Sequence, residues 1–293
     1  MTLQKNNAKT IHKTDEPQLM GIVNVTPDSF SDGGKFYNSD SAIEHGLKLI
    51  SEGAHVLDIG GESSRPGAQV VDIESEIRRV VPVIKELKAD AVQNNVRISI
   101  DTRNAKTMEA ALDAGADIIN DISALTHDPQ SVHVAASAKK PVILMHMRGT
   151  PQTMQGNPQY NNVVEDIIDY FKTRISFCET HRIDESLLIL DPGIGFGKTL
   201  EHNLLILRNI KKFHALGCPL LLGTSRKSFI AALSQKEAHN EPENTPPNER
   251  LGGSISSALW GLSQGVQILR VHDVKETLQA IKIYRAISAA AES

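Results

Sequence analysis

Short apolar runs, each followed by a polar or charged residue, recur along the chain, and this arrangement restricts the fold more than any other feature. Continuous apolar runs separated by helical stretches are typical of a parallel sheet that is covered on both faces. About eight such units predict an α/β protein that closes into a (β/α)8 barrel, with the polar residues gathered at the carboxyl ends of the strands. The runs and the polar residues that follow them are 19–23 with Asn24, 56–59 with Glu62 and Arg65, 96–100 with Asp101, 118–119 with Asn120 and Asp121, 142–145 with His146 and Arg148, 187–190 with Asp191, 220–222 with Ser225, Arg226 and Lys227, and 266–269 with Arg270 and His272.

The segments between these runs have helical spacing. In one of them Asp72 is a candidate N-cap, and acidic residues follow in the first turn, where the helix dipole favours negative charge. Such a helix has one apolar face to bury, so we expect it to pack on the outside of the barrel. Its apolar stripe consists of Ile73, Ile77, Val80, Val81, Ile84 and Leu87.

Length and charge are compatible with one large domain. The chain has 293 residues, 40% of them hydrophobic, and a (β/α)8 barrel typically takes ~250 residues. We predict a single barrel domain over residues 18–293 and a polar N-terminal extension over residues 1–17. The formal net charge of −4 gives no reason to expect nucleic acid or an anionic membrane as a partner, so any anion must be bound by a local cluster of basic residues.

Cysteine usage and hydropathy exclude several other classes of protein. Cys178 and Cys218 form no paired metal motif and no disulfide framework, so we expect both to pack as small hydrophobic side chains. The sequence has no HExxH motif for zinc. Its first residues lack the apolar core of a signal peptide, and no apolar run approaches the ~18 residues of a membrane span. We therefore expect a cytoplasmic protein.

Two polar, glycine-rich loops follow the first two runs. Residues 24–34 read Asn-Val-Thr-Pro-Asp-Ser-Phe-Ser-Asp-Gly-Gly, and residues 60–67 read Gly-Gly-Glu-Ser-Ser-Arg-Pro-Gly. Glycine lets backbone amide groups approach a phosphate closely, and Arg65 in the second loop would add a fork of donors. Each loop can also be interpreted as a plain turn, but two long loops of the same character favour an anion-binding function.

A third glycine-rich segment, residues 191–199, reads Asp-Pro-Gly-Ile-Gly-Phe-Gly-Lys-Thr. It is similar to a phosphate-binding P-loop, but Pro192 stands where that motif requires glycine. Because the preceding apolar run ends at Leu190, we interpret Asp191 as a carboxylate that points into the barrel mouth. We interpret Lys198 as an ordinary solvated cation.

Three polar residues at strand ends, Asp101, Asn120 and Asp191, form a set that suits a pterin. Carboxylates accept from the adjacent N–H and amino groups of an aminopyrimidinone ring, and an asparagine amide both donates and accepts. Lys227, in the segment 223–229, can direct its ammonium group at a ring carbonyl. Each aspartate alone is as well suited to capping a helix, so the pterin hypothesis depends on the whole set together with the loops.

The last apolar run ends in Arg-Val-His at residues 270–272. Strand alternation places Arg270 and His272 on one side and Val271 on the other, so the two cations can share an anion at the end of the barrel where phosphates often bind. Asp273 is a candidate cap for the final helix.

These segments resemble dihydropteroate synthase. The resemblance is carried by residues 24–34, 61–67, 191–198, 223–229 and 270–272, in the family's order, and spans the chain from residue 19 onward. It implies a TIM barrel that joins p-aminobenzoate to 6-hydroxymethyl-7,8-dihydropterin diphosphate, giving 7,8-dihydropteroate and pyrophosphate in folate biosynthesis. It also implies a magnesium cofactor and a homodimer, and the family is the target of sulfonamides.

The resemblance assigns roles to the matching positions. Asn24 falls at the magnesium position, and Ser64 stands where the family often has threonine. The diphosphate positions are Arg65, Arg270 and His272, and Ser228 matches the residue near the aminobenzoate carboxylate. With Pro66 and Phe196 added from the glycine-rich segments, the predicted substrate-binding residues are Ser64, Arg65, Pro66, Asp101, Asn120, Asp191, Phe196, Lys227, Ser228, Arg270 and His272.

The implied reaction suggests catalytic residues. A loose, cationic transition state on the dihydropterin would be stabilised by carboxylates, while magnesium and the basic residues hold the departing diphosphate. Asp32 in the first loop can approach the amine or the reacting carbon, so the predicted catalytic residues are Asp32, Asp101 and Lys227.

Two alternatives use the same barrel. The pterin-binding barrel of a folate and corrinoid methyltransferase system would explain Asp101, Asn120 and Asp191, but it does not need the diphosphate residues or the aminobenzoate-side pair Lys227 and Ser228. A non-catalytic pterin-binding protein would not need the intact loops.

Overall fold

The computed structural model of the chain describes residues 17–25, 37–64, 67–234 and 245–290. The strands among these residues are β1 Gln18–Asn24, β2 Val56–Gly60, β3 Arg97–Asp101, β4 Ile118–Asp121, β5 Val142–Met145, β6 Leu188–Asp191, β7 Leu221–Leu222 and β8 Ile268–Val271. They form one sheet in the order β6-β5-β4-β3-β2-β1-β8-β7, and every pair is parallel. A parallel bridge between Leu190 and Leu220 brings the two edge strands together. The predicted (β/α)8 barrel is therefore confirmed.

Helices follow the strands and cover the outside of the barrel. The α-helices of the described residues are α1 Tyr37–Ser51, α2 Ile73–Gln93, α3 Ala105–Ala114, α4 Ser131–Ala138, α5 Val163–Thr180, α6 Leu200–Arg208, α7 Ile210–Phe213, α8 Ser228–Ser234, α9 Leu251–Ser263 and α10 Val274–Ser288. Short 3-10 helices cover Glu185–Leu187, His214–Leu216 and Pro247–Glu249. At α2 the predicted N-cap is confirmed, because the Asp72 carboxylate accepts from the Ser75 backbone N–H at 2.8 Å.

Two expectations about composition can be compared with this fold. Cys178 and Cys218 are both free and buried, as expected for small hydrophobic side chains. None of the described helices combines the length and the apolar character that crossing a membrane requires. The predicted N-terminal extension lies outside the described residues, apart from Pro17.

The interior of the barrel is closed at one end by an apolar layer. This layer is a cluster separate from the larger core between the sheet and the helices. Burying each of its large side chains contributes about 1.5–3 kcal/mol, so the layer is a main source of stability. Its members are Met20, Val56, Ile118, Ile143, Ile189, Leu221 and Ile268.

Strand alternation connects this apolar layer to the opposite end of the barrel. Side chains two residues apart on a strand face the same side, so the residues that follow the layer by two positions also face the interior. These residues include Asp58 after Val56 and Arg270 after Ile268. The strands therefore change from apolar to polar inside the barrel as they approach their carboxyl ends.

Candidate active site

A hydrogen-bonded charge network crosses the mouth of the barrel. The Arg270 guanidinium donates from Nε to Asp58 Oδ2 at 2.6 Å and from Nη2 to Asp101 Oδ2 at 2.7 Å. The Asn120 side-chain amide donates to the same Asp58 oxygen at 3.0 Å. Four strands, β2, β3, β4 and β8, each contribute one side chain, so the network joins opposite parts of the barrel wall.

Burial and neighbouring charges alter the protonation of this network. Burial and, next in size, the negative charge of Asp58 raise the pKa of Asp101 to about 7, against the opposing effect of Arg270. Burial acts to lower the pKa of Arg270, but Asp58 and Asp101 more than offset it, so the net pKa is higher than usual. Arg270 is therefore charged, and Asp101 changes its charge near neutral pH.

A second group of polar residues lies at the ends of β6 and β7. The Asp191 carboxylate accepts from the Gly193 backbone N–H at 2.8 Å, and its pKa is raised mainly by burial. The Lys227 ammonium lies 4.0 Å from the centroid of the Phe196 ring, which is a cation–π contact. Lys227 also acts to lower the pKa of Asp191. The predicted residues Asp191, Phe196 and Lys227 are thus neighbours.

An apolar wall adjoins these polar residues. Four buried side chains, Ile122, Met145, Met154 and Phe196, form a separate hydrophobic cluster, and Met147 packs against it. Ile122 and Met145 come from the ends of β4 and β5, next to Asn120 along the sheet. Donors and acceptors beside a wall of methionine and phenylalanine suit a flat heterocycle with polar edges.

Lys198 was predicted to be a solvated cation, and this prediction is wrong. Its side chain is only 3% exposed. Its Nζ donates to the carbonyl oxygens of Phe196 at 2.9 Å and His146 at 3.2 Å, and lies 3.0 Å from His146 Nδ1. Burial lowers the pKa of Lys198 to about 7 and that of His146 to about 2, so the His146 ring is neutral. Lys198 therefore fastens the glycine-rich segment to the end of β5.

Glycines allow this segment to lie directly against the backbone that follows β5. A Cβ atom on Gly193 would be 2.0 Å from the His146 carbonyl oxygen, and one on Gly197 would be 2.5 Å from the Arg148 carbonyl oxygen. Both glycines also have positive φ, at 68° and 61°. Larger residues are excluded by contact as well as by backbone conformation, so these glycines position Phe196 and need not contact phosphate.

At the end of β8 the structure corrects the prediction that Arg270 and His272 are both cations. Burial, together with the charges of Arg226 and Arg270, lowers the pKa of His272 to about 3. His272 is therefore a neutral imidazole beside Arg270, not a second cation. Its Nδ1 lies 3.0 Å from the Ser225 hydroxyl, to which the His272 backbone N–H also donates at 3.2 Å.

Asp273 occupies the N-cap position of α10, but its side chain makes no capping hydrogen bond. The carboxylate instead accepts from Arg226 Nε at 3.1 Å. Asp273 therefore takes the predicted N-cap position, but its side chain pairs with Arg226 in the loop after β7 and does not cap the helix.

The other predicted site residues lie around the rim or outside the described residues. Asn24 is exposed at the end of β1, where it pairs in register with Gly60. Ser64 is half-buried after β2, and Ser228 is exposed as the first residue of α8. Asp32, Arg65 and Pro66 lie outside the described residues, so their predicted roles stay predictions.

Two further residues belong to this region: Asp58, which the sequence analysis did not select, and Glu62, which it named only as a polar residue after the second apolar run. Asp58 is fully buried at the centre of the charge network. The Glu62 carboxylate, which follows β2, accepts from Arg103 Nε at 3.0 Å and Nη2 at 3.1 Å, and so holds the base of the second loop. A signal for Asp58 was available, because it interrupts a buried apolar strand two residues before Gly60, on the inward-facing side.

Comparisons with known proteins agree with this geometry. The family described as pterin binding enzyme matches residues 20–272. The dihydropteroate synthase of Escherichia coli K12 is 44% identical over 277 residues, which cover 94% of each chain.

Two solved structures add to this comparison, and each covers 94% of this chain and 95% of its own. The dihydropteroate synthase of Xanthomonas albilineans with 4-aminobenzoic acid is 42% identical, with a TM-score of 0.84. That of Yersinia pestis in complex with a sulfonamide drug is 44% identical, also with a TM-score of 0.84. The chain belongs to the dihydropteroate synthase family of pterin-binding transferases.

Proposed function

We infer that the barrel mouth carries out the reaction of its family. In that reaction the amine of p-aminobenzoate displaces the diphosphate of 6-hydroxymethyl-7,8-dihydropterin diphosphate. The products are 7,8-dihydropteroate and pyrophosphate. The observation that carries this inference is the joint presence of Asp101, Asn120 and Asp191 beside an apolar wall, with Arg270 hydrogen-bonded to Asp101.

The pterin end of the substrate fits the deep part of the mouth. Asp101 and Asp191 are acceptors for the ring N–H and amino donors, while Lys227 can donate to a ring carbonyl. Phe196 and Met145 offer apolar surface to the ring faces. An ionised carboxylate accepts the ring donors better than a protonated one, so recognition is expected to strengthen as pH rises through the Asp101 pKa of about 7.

The diphosphate end is assigned to the basic residues at the end of β8 and in the second loop. Arg270 is charged and forked, which suits an anion of this kind. His272 can donate one ring N–H to a phosphate oxygen while neutral. Arg65 is predicted to complete this group, and Glu62 would support it by fixing the start of its loop through Arg103.

The aminobenzoate is assigned to the rim beside α8. Ser228 is exposed there and directly follows Lys227, so one short segment can contact both substrates. This position lets the aminobenzoate carboxylate remain near solvent while its amine faces the pterin.

The chemical step needs no covalent bond to the protein. A carbon–nitrogen bond forms as the carbon–oxygen bond breaks, the electron pair of the broken bond leaves with the diphosphate, and the amine then loses a proton. Positive charge that develops on the pterin ring is stabilised by Asp101 and Asp191, and the departing negative charge by Arg270. Asp32 is proposed to approach the amine or the reacting carbon.

Magnesium is proposed as the cofactor, with Asn24 as its protein ligand. Asn24 is exposed at the carboxyl end of β1, on the same side of the strand as the inward-facing Met20, and its amide oxygen is a hard donor. Mg²⁺ is commonly held by one or two protein oxygens together with substrate phosphates and water, and this donor fits that pattern. The bound ion would neutralise charge on the diphosphate. Replacing Asn24 with Ala should raise the magnesium concentration for half-maximal activity by about tenfold or more, because mutation of even an outer-shell partner of a metal ligand costs about 10–100-fold in affinity or activity.

A homodimer is also proposed, formed by two copies of the face made by α6, α8 and α9. A groove of about 380 Å³ lies there, and Leu204, Leu233 and Trp260 on its border are 39%, 57% and 46% exposed. Light scattering should find the wild type dimeric and Trp260→Glu monomeric. Val92→Glu, at an exposed site on α2, is the control and should stay dimeric. A monomeric wild type would contradict the proposal.

The function is tested by a turnover assay with the purified chain. It should release pyrophosphate from dihydropterin diphosphate when p-aminobenzoate and magnesium are both present, with matching formation of dihydropteroate. A folded preparation that binds pterin but never forms dihydropteroate would favour a pterin-binding module instead.

A further inference from the structure

We propose that Asp58 is a positioning residue for pterin recognition, which orients the Asn120 amide and retains the Arg270 guanidinium while Asp101 is released to the substrate. This inference rests on the proposed function and deepens it. Asp58 is fully buried, so it acts through its neighbours and not by contact with the substrate.

One oxygen of Asp58 carries both interactions. Asp58 Oδ2 accepts from Arg270 Nε at 2.6 Å and from Asn120 Nδ2 at 3.0 Å. Asp58 Oδ1 is buried without a hydrogen-bond partner among the described residues. A buried carboxylate with one unsatisfied oxygen is costly, so Asp58 depends on the two hydrogen bonds that its other oxygen accepts.

Contact with Asp58 fixes the orientation of the Asn120 side chain. A carboxylate accepts hydrogen bonds and does not donate them, so only the amide nitrogen of Asn120 can face Asp58. The amide oxygen must then lie on the other side of the group, where it accepts from whatever fills the mouth. Asn120 is thereby set to select a ring edge that presents an N–H or amino donor.

We expect substrate binding to break one hydrogen bond of Arg270 and to leave the other intact. Arg270 Nη2 donates to Asp101, which is the acceptor proposed for the pterin, whereas Arg270 Nε donates to Asp58. When pterin donors replace Arg270 at Asp101, the guanidinium keeps Asp58 as its counter-ion and stays at the diphosphate end. Without Asp58, the same exchange would leave a half-buried cation unpaired until a diphosphate binds, which is unfavourable.

The charge of Asp58 also affects the pKa of Asp101. Burial is the largest cause of the raised Asp101 pKa, and the charge of Asp58 is the next. The other charged groups that face Asp101 are Arg270 on β8, Glu76 on α2 and Asp121 on β4, of which only Arg270 acts to lower the pKa. Removing the Asp58 charge alone should therefore lower the pKa of Asp101.

The test compares wild type, Asp58→Asn and Ser99→Ala by calorimetry with a dihydropterin over a range of pH. The Asn variant keeps the shape and one acceptor oxygen but removes the charge. Ser99 is the matched control, because it pairs in register with Asp58, is fully buried, and has a hydroxyl without a hydrogen-bond partner among the described residues.

The wild type should lose pterin affinity as pH falls through about 7. In Asp58→Asn the midpoint of this loss should move down by about one pH unit, as expected for removal of a nearby like charge. Its affinity well above pH 7 should be about tenfold lower, because Asn120 and Arg270 are less firmly held. Ser99→Ala should follow the wild-type curve.

A measurement on the wild type covers the case in which Asp58→Asn does not fold. The Arg270 Nε–H proton, whose NMR signal is identified by its absence from the spectrum of Arg270→Lys, should exchange slowly with water. Exchange should be slow both before and after a dihydropterin and pyrophosphate are added. Rapid exchange in the free protein would overturn the proposal.

The outcomes separate this inference from the function on which it rests. A folded wild type that binds no dihydropterin would overturn the proposed function. A wild type that binds dihydropterin, together with an Asp58→Asn curve that has the wild-type midpoint and affinity, would overturn the role of Asp58 alone.

Discussion

The two ends of the barrel interior are built from the same strands but differ in what they bury. At the amino end, side chains such as Val56, Ile189 and Ile268 form an apolar layer. Two residues further along the same strands stand Asp58, Asp191 and Arg270, which are held by hydrogen bonds and charge. The apolar layer stabilises the fold through burial of apolar surface, whereas the polar end holds charged groups that can bind a ligand.

Arg270→Ala should have the largest effect on activity. The substitution removes the cation that contacts Asp58 and Asp101 and that is proposed to hold the diphosphate. We expect kcat/KM for dihydropterin diphosphate to fall by about 100- to 1000-fold, the range found when one charge-stabilising donor is lost. Steady-state kinetics on the folded variant will check this. A decrease of less than about tenfold would show that charge at this end of the barrel is dispensable.

Ile189→Ala should show the opposite pattern. It opens a cavity in the apolar layer, and such truncations cost about 2–5 kcal/mol in the free energy of unfolding. Urea unfolding will measure this loss. Pterin affinity of the folded fraction should stay within about twofold of wild type, a change of only about 0.4 kcal/mol. A large loss of affinity at full folding would mean that the two ends are not separable.

Lys198→Met should give a smaller effect that depends on pH. Burial lowers the folded-state pKa of Lys198 to about 7, below its value in the unfolded chain. Between these two pKa values the unfolded chain binds more protons, so the stability of the wild type should rise with pH across this window. The variant should lack this part of the rise. Urea midpoints measured from about pH 7 to pH 10 will compare the two slopes, and equal slopes would contradict the assignment.

The architecture and most of the pterin residues could be predicted from sequence because they depend on local patterns. Apolar runs that end in polar residues are enough to place Asp101, Asn120 and Asp191 at the mouth. The burial of Lys198 and His272, and the protonation states that follow from it, could not be predicted in this way. Their burial depends on segments distant in the chain, such as the backbone after β5 for Lys198 and the Ser225 loop for His272.

Asp58 shows a second limit of prediction from the sequence. Its position in a buried strand is visible in the sequence, but its importance arises from Arg270, which is 212 residues away in the chain. Glu62 is similar, because its partner Arg103 lies on the segment after β3. Pairs of this kind are fixed by barrel closure and not by local spacing.

Calorimetry with a dihydropterin on wild type and Asp101→Asn tests the central claim most directly, which is that the polar end of the barrel recognises the pterin through Asp101. The substitution preserves size but replaces part of a carboxylate acceptor with a donor. Measured well above pH 7, where the wild-type carboxylate is ionised, the variant should bind about 10- to 100-fold more weakly, since a mismatched buried polar group costs about 1–3 kcal/mol. Its unfolding midpoint in urea should show that it remains folded. Equal affinities in the two proteins would contradict the claim and remove Asp101 from the recognition site.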